Sequence, residues 1–357
     1  MKERISKLQT ELKQAKLDAL LINTPENRRY MTGFTGTAGT VLVSQEEAIL
    51  ITDFRYTQQA KQQAPDYRVV EFKNSKLDKI NELLTELKVE TLGFEATYEN
   101  YNTYLNFKEK LDVELKPTES LVKKLRMVKS AEEIKKIRKA VEIADDAFTM
   151  IRDFLKVGVI ERDVALELEF FMKRAGASDN AFDFIVASGE RSALPHGVAS
   201  DKRIAAGDFV TMDFGCVYEG YHSDMTRTVI VGAEPSNKHK EIYETVLKAQ
   251  LESIKAIKAG MTGKEVDQIA RDIITEAGFG DYFGHGLGHA VGLEIHEGPR
   301  LSPKGDTVLE AGMVVTVEPG IYLPNWGGVR IEDIVVVTED GCEILTKSPK
   351  ELIVIEN

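Results

Sequence analysis

Cysteine is nearly missing from this chain of 357 residues, which holds two. Cys216 and Cys342 show no C-x-x-C spacing, so a disulfide framework and a cysteine-rich zinc site are both excluded, and a reducing, cytoplasmic setting is the default expectation. Long apolar runs are missing as well. The first stretch, "MKERISKLQTELKQAKLDALL", alternates charges with a helical apolar stripe, and so matches neither a signal peptide nor a membrane span. Surplus basic charge is absent too: 46 Lys and Arg face 58 Asp and Glu, for a formal net charge of −12. That balance argues against a nucleic-acid partner held through its phosphates. Low-complexity tracts and short tandem repeats are not found. Histidine is scarce at six residues, yet His285, His289 and His296 crowd into "GHGLGHAVGLEIHEGP", residues 284–299.

Apolar and charged fractions of 43% and 29% are those of a globular chain, and the length suits two domains. From residue 17 to about 118, the β-rich runs "DALLIN", "TVLVS", "AILITD", "YRVVEF", "TLGFEA" and "VELKPT" alternate with amphipathic "FRYTQQAKQQA" and "KLDKINELLTEL". This pattern predicts a small α/β domain with a mixed sheet. Its loop "YMTGFTGTAGT" has neither the G-x-G-x-x-G spacing nor the G-K-[ST] ending of a phosphate loop. Ser130 and Glu133 then stand as a capping box before a long helical stretch, which sets a domain boundary near Arg126: residues 1–125 and 126–357. Beyond it, helices are expected at about 161–175, 236–259 and 263–277. The β-rich runs between them predict an α+β domain with an antiparallel core sheet.

The i, i+4 pair His285 and His289 suggests two zinc ligands on one helical face. Gly284, Gly286, Gly288 and Gly292 argue against it, since each costs a helix interior about 1 kcal/mol relative to alanine. Glycines here serve a crowded site better than a helix. Acids complete the picture. Asp213 in "FVTMDFG" and Asp224 in "YHSDMTRTV" fall in β-type runs, and a hairpin centred between Tyr218 and Glu219 would set them directly opposite one another. Facing carboxylates repel unless a cation or a proton lies between them. Glu318 in "VVTVEPGIY" and Glu332 in "GVRIEDIVVV" repeat the oddity. Four acids and an imidazole suit a pair of divalent ions such as Mn²⁺, Co²⁺, Fe²⁺ or Zn²⁺.

The ordered series M-D-F-G, S-D-M-T-R-T, G-H-G-L-G-H with H-E-G-P, V-E-P-G-I-Y and V-R-I-E-D resembles the M24-type metallopeptidases: methionine aminopeptidase, aminopeptidase P and prolidase. It covers roughly residues 126 to 357. The resemblance implies a pita-bread catalytic domain with a curved antiparallel sheet. It also implies two metal ions, Mn²⁺ foremost, on Asp213, Asp224, His289, Glu318 and Glu332. His289 is singled out by the family pattern, not by spacing. His196 in "SALPHG", His285 and His296 match positions that contact substrate and move protons, and Tyr322 and Arg330 match supporting residues.

"YMTGFTGTAGTVLV" and "ITDFRYTQQA" resemble the creatinase-like N-terminal domain of aminopeptidase P, although Phe54 stands where T-D-G-R-Y has glycine. "FDFIVASGERSALPHG" resembles the branch that cleaves before proline. The implied activity is that of an Xaa-Pro aminopeptidase acting on small peptides with proline second, with a strict Xaa-Pro dipeptidase as the alternative and a homodimer as the usual assembly. A peptide-binding pseudoenzyme would show eroded ligands, and a purely structural metalloprotein would not need the surplus histidines. In the implied mechanism, metal ions about 3.5 Å apart acidify a bridging water. Glu318 takes its proton, His285 and His296 stabilise the oxyanion, and His196 and Arg330 frame the proline pocket.

Overall fold

The structure, a computed structural model, describes residues 1–356 and packs as two compact units, Met1–Arg126 and Met127–Asn357. In the first unit the six β-rich runs become one mixed sheet. Its spatial order is Arg68–Glu71, Ala48–Thr52, Thr40–Ser44, Ala19–Ile22, Thr91–Glu95 and Glu114–Thr118. The three central strands pair antiparallel and the outer pairs are parallel. Those central strands are buried along their whole length, which is why they read as unbroken apolar runs rather than as alternation.

Three helices were not signalled by periodicity: Pro25–Thr32, Tyr101–Lys110 and Leu121–Met127. The first buries Asn27, Arg28 and Thr32, so it carries no clean apolar stripe to find. Tyr30 to Thr32, expected in a loop, are therefore helical, and Gly33 ends the helix in the left-handed region at φ 75°.

The second unit is α+β, as expected. Ser130 accepts the Glu133 N–H while Glu133 accepts the Ser130 N–H, and this capping box starts the helix Ala131–Phe154. That helix and Glu161–Arg174 pack residues such as Ile143, Phe148 and Leu168 on a four-stranded sheet. The sheet runs Ile353–Ile355, Met225–Val231, Phe209–Phe214 and Ile185–Ser188. A second helix pair, Asn237–Ala256 and Gly263–Glu276, packs Val246, Ala270 and Ile274 with Val315, Val317 and Val335 of a five-stranded sheet. Its strands lie in the order Glu297–Leu301, Gly288–Ala290, Val314–Val317, Asp333–Val337 and Cys342–Ile344.

Strand alternation places the acids. Val210, Met212 and Phe214 join the first helical core, so Thr211 and Asp213 emerge on the opposite face. Across the ladder Val229 and Val231 face the same core, leaving Thr226 and Thr228 beside Thr211 and Asp213. The expected direct pairing of Asp213 with Asp224 is corrected here: Asp213 pairs with Thr226, and Tyr218 pairs with Tyr221. The turn is Glu219–Gly220, both left-handed at φ 47° and 83°, as a two-residue hairpin turn requires. The register therefore slips by two from the expected one. An even slip preserves the face, so the two acids meet diagonally.

Candidate active site

Every site residue anticipated from the sequence lines a single cavity of about 820 Å³: Asp213, Asp224, His289, Glu318 and Glu332, with His196, His285, His296, Tyr322 and Arg330. Ligand-type atoms of Asp224, His289 and Glu332 lie within 4.8 Å of one another. His289 Nε2 is 3.5 Å from Asp224 Oδ2 and 3.3 Å from Glu318 Oε1. Its Nδ1 lies 3.1 Å from the Ala290 carbonyl, which can only accept, so the ring proton resides there and the Nε2 lone pair faces the carboxylates. Burial, aided by His296, holds the imidazole neutral by lowering its pKa from 6.5 to about 3.

Lone pair against carboxylate is repulsive, and the acids themselves share the problem. Burial, then Glu332, Asp213 and Glu318, drives Asp224 well above the carboxylate range. Burial and the facing Glu318 and Asp213 do the same to Glu332, and burial lifts Glu318 to about 8. Asp213 Oδ1 is buried without a hydrogen-bond partner. A divalent cation relieves all of these conflicts at once, and an all-oxygen set with one neutral nitrogen is chemically suited to it. The residues present fit the metal centre that the sequence suggested.

The other polar groups form a chain. Arg330 donates to Asp213 Oδ2 at 2.5 Å, to Thr226 Oγ1 at 3.1 Å and to the Tyr322 hydroxyl at 2.9 Å. Tyr322 lies 2.8 Å from His285 Nε2, and His285 Nδ1 meets the Gly286 carbonyl at 2.8 Å. Because the carbonyl needs the Nδ1 proton, Tyr322 donates its own to Nε2. Burial and the nearby Arg330 lower the His285 pKa to about 4, keeping the ring neutral. His296 stands edge-on to His289, ring centroids 4.4 Å apart, and both His296 and His196 are exposed at the cavity.

Residues without an assigned role in the sequence hold these groups. Thr226 donates to Glu332 Oε2 at 2.7 Å, and Thr316 donates to Glu318 Oε1 at 3.1 Å while accepting the His289 N–H at 3.0 Å. Each threonine lies two residues from an acid of the set on the same strand face, a period-two signal that was available in S-D-M-T and V-T-V-E. Gly288 explains part of the glycine richness: a Cβ there would sit 2.1 Å from the Thr316 carbonyl oxygen. Any side chain would push the His289 strand off its neighbour. Arg227 and Asp333, 1% and 0% exposed, form a buried ion pair at 2.8 Å, and Arg227 also donates to the Glu332 carbonyl.

Comparison with known proteins agrees with this geometry. The profile of metallopeptidase family M24 matches residues 135–339, and that of the creatinase/prolidase N-terminal domain matches residues 4–128. The chain belongs to metallopeptidase family M24, with the two-domain architecture that the motif series implied. It is 49% identical over 355 residues to the Xaa-Pro dipeptidase of Pyrococcus furiosus, covering 99% of this chain and 100% of that one. Among solved structures it resembles the Xaa-Pro dipeptidase from Bacillus anthracis, with a TM-score of 0.97, 53% identity and 99% of each chain covered. It also resembles the X-Pro aminopeptidase from Thermotoga maritima, with a TM-score of 0.91 and 42% identity over 97% of this chain and 100% of that one.

Proposed function

We propose that this metallopeptidase is an Xaa-Pro dipeptidase, a prolidase, which hydrolyses the bond between an N-terminal residue and a following proline. The full-length similarity to proteins named Xaa-Pro dipeptidase carries this reading, and it moves the weight from the aminopeptidase first expected to the dipeptidase alternative. An Xaa-Pro aminopeptidase is the second reading, favoured by the likeness to the Thermotoga maritima enzyme.

Asp213, Asp224, His289, Glu318 and Glu332 would hold two divalent metal ions, Mn²⁺ foremost and Co²⁺, Zn²⁺ or Fe²⁺ as alternatives. Bound there, the ions would supply Lewis-acid polarisation of the scissile carbonyl and lower the pKa of water toward neutrality. Glu318, held by the Thr316 hydroxyl at the cavity, is the base that receives the proton of the attacking water. His296, exposed at the cavity, donates to the oxyanion, and His285, whose unprotonated Nε2 meets the Tyr322 hydroxyl, relays the proton taken up by Glu318 toward the proline nitrogen. The amide nitrogen of proline carries no hydrogen, so it leaves only after gaining one. His196 and Arg330 frame the proline ring.

We place the protein in the cytoplasm, where its two unpaired cysteines are stable, and read it as a homodimer. No described helix is long and apolar enough to cross a membrane. The deciding assay compares Xaa-Pro with Xaa-Pro-Yaa peptides after chelation, with and without added Mn²⁺. Cleavage of the dipeptide alone is expected; equal cleavage of the tripeptide would make it an aminopeptidase, and no cleavage of either would remove the activity.

A further inference from the structure

His296 is carried on a turn, residues 291–297, which is fastened from beneath by a buried ion pair. Glu297 Oε2 lies 3.2 Å from Lys129 Nζ, the two side chains being 6% and 1% exposed. Its other oxygen, Oε1, accepts the Glu294 N–H at 3.1 Å, closing the turn on itself. The carboxylate occupies space that only glycine leaves at position 292, where a Cβ would lie 2.7 Å from each of the two oxygens. On the other side, the His222 N–H donates to the Gly292 carbonyl at 2.9 Å, and its ring Nδ1 lies 3.1 Å from that oxygen. Lys129 is itself held, its N–H donating to the Gly312 carbonyl at 2.9 Å.

A buried pair of this kind is a poor source of stability, because desolvation offsets most of the attraction. Its value lies in fixing a position. Resting on the peptidase reading, we infer that Glu297, with Lys129 and Gly292, is a positioning unit that sets the imidazole of His296 over the metal-binding edge of the cavity. Glu297 touches neither substrate nor metal in this role. It acts through its neighbour in the chain, and so accounts for the acid that follows the histidine in H-E-G-P.

A double-mutant cycle in the metal-loaded, full-length protein tests this. Glu297→Gln keeps the shape and an acceptor for the Glu294 N–H but removes the charge that Lys129 faces. It is expected to lower kcat on an Xaa-Pro dipeptide by about ten- to a hundredfold, with bound metal unchanged and KM moving about twofold or less. Combined with His296→Ala, it should add about twofold or less to the loss from His296→Ala alone, because both act on one imidazole. A simple structural defect would instead multiply the two losses. If Glu297→Gln is insoluble, Gly292→Ala decides, since its methyl displaces the carboxylate while every charge remains; the same non-additivity is expected. Multiplicative losses, or wild-type kcat in the variant that folds, would overturn the positioning role and leave the peptidase reading standing. Failure of the wild-type protein to cleave any Xaa-Pro peptide removes the reading beneath it instead.

Discussion

Two acids in strand-like runs, Glu95 in the N-terminal unit and Glu332 in the catalytic unit, look alike in sequence and differ in everything that surrounds them. Both are buried, at 8% and 2% exposure. Glu95 is met by donors: the N–H groups of Asn23 and Thr24 at 2.8 and 2.7 Å and the Asn27 side chain at 2.5 Å. Glu332 has one hydroxyl donor, Thr226, and otherwise faces Glu318 and Asp213; burial first, and then these two acids, raises its carboxyl well above the usual carboxylate range. A buried carboxylate ringed by donors is part of the frame. One ringed by other acceptors has the chemistry to hold a cation.

The contrast can be broken by experiment, and the largest effect belongs to the acceptor-rich side. His289→Ala or Glu332→Gln should lower activity by more than about a hundredfold, beyond what outer partners of a metal site usually cost. The metal-free melting temperature should hold or rise in Glu332→Gln, because a neutral amide needs no proton taken up to sit among those acceptors. A fall in that temperature would place Glu332 with Glu95. Next comes Thr226→Val, expected to cost about ten- to a hundredfold in activity through a misplaced Glu332, measured against metal content.

On the donor-rich side, Glu95→Ala leaves buried donors unmet and should destabilise by about 2–4 kcal/mol in denaturant titration, with kcat/KM of the folded protein unchanged. Adding Mn²⁺ should raise stability by about 2.7 kcal/mol at a hundred times its Kd, an increment that Glu332→Gln should lose and Glu95→Ala should keep.

The smallest effect is one of pH. Glu318 binds its proton more tightly when folded, its pKa rising from 4.5 to about 8, so the folded metal-free protein holds more protons than the unfolded chain through that window. Stability should therefore fall as pH rises toward 8. His289, lowered from 6.5 to about 3, acts oppositely below pH 6.5, which leaves pH 6.5 to 8 as the clean interval. Melting curves of chelated protein across it should slope downward, and Glu318→Gln should make the slope shallower, the remainder belonging to Asp224 and Glu332, whose carboxyls are raised as well.

The catalytic cavity was more legible than the frame around it. Asp213, Asp224, Glu318 and Glu332 break the apolar rhythm of their strands, and His289 sits among glycines, so each announces itself locally. Glu95 breaks the rhythm of "TLGFEA" just as visibly, and nothing local distinguishes it; only the donors brought from residues 23–27 do. The register differs by two from the one the sequence suggests because a hairpin's turn is fixed by backbone conformation at Glu219 and Gly220, which composition constrains weakly. The helix Pro25–Thr32 escaped because it turns polar side chains inward. The pairs Arg227–Asp333 and Lys129–Glu297 join residues 106 and 168 positions apart, and no periodicity reaches that far.

The ribbon between Asp213 and Asp224 carries a rule for how this chain can change length. Its two paired flanks present the acids on one face because one register, Phe214 with Met225 and Val217 with His222, holds on both sides of the strand break at Gly215 and Ser223–Asp224. One residue inserted within either paired flank would turn an acid into the helical core beside Phe214 and Met212, whereas two would restore the face. Viable length variants of this segment should therefore differ by even numbers, or place their odd residue at Glu219–Gly220, where no side chain has a face to lose.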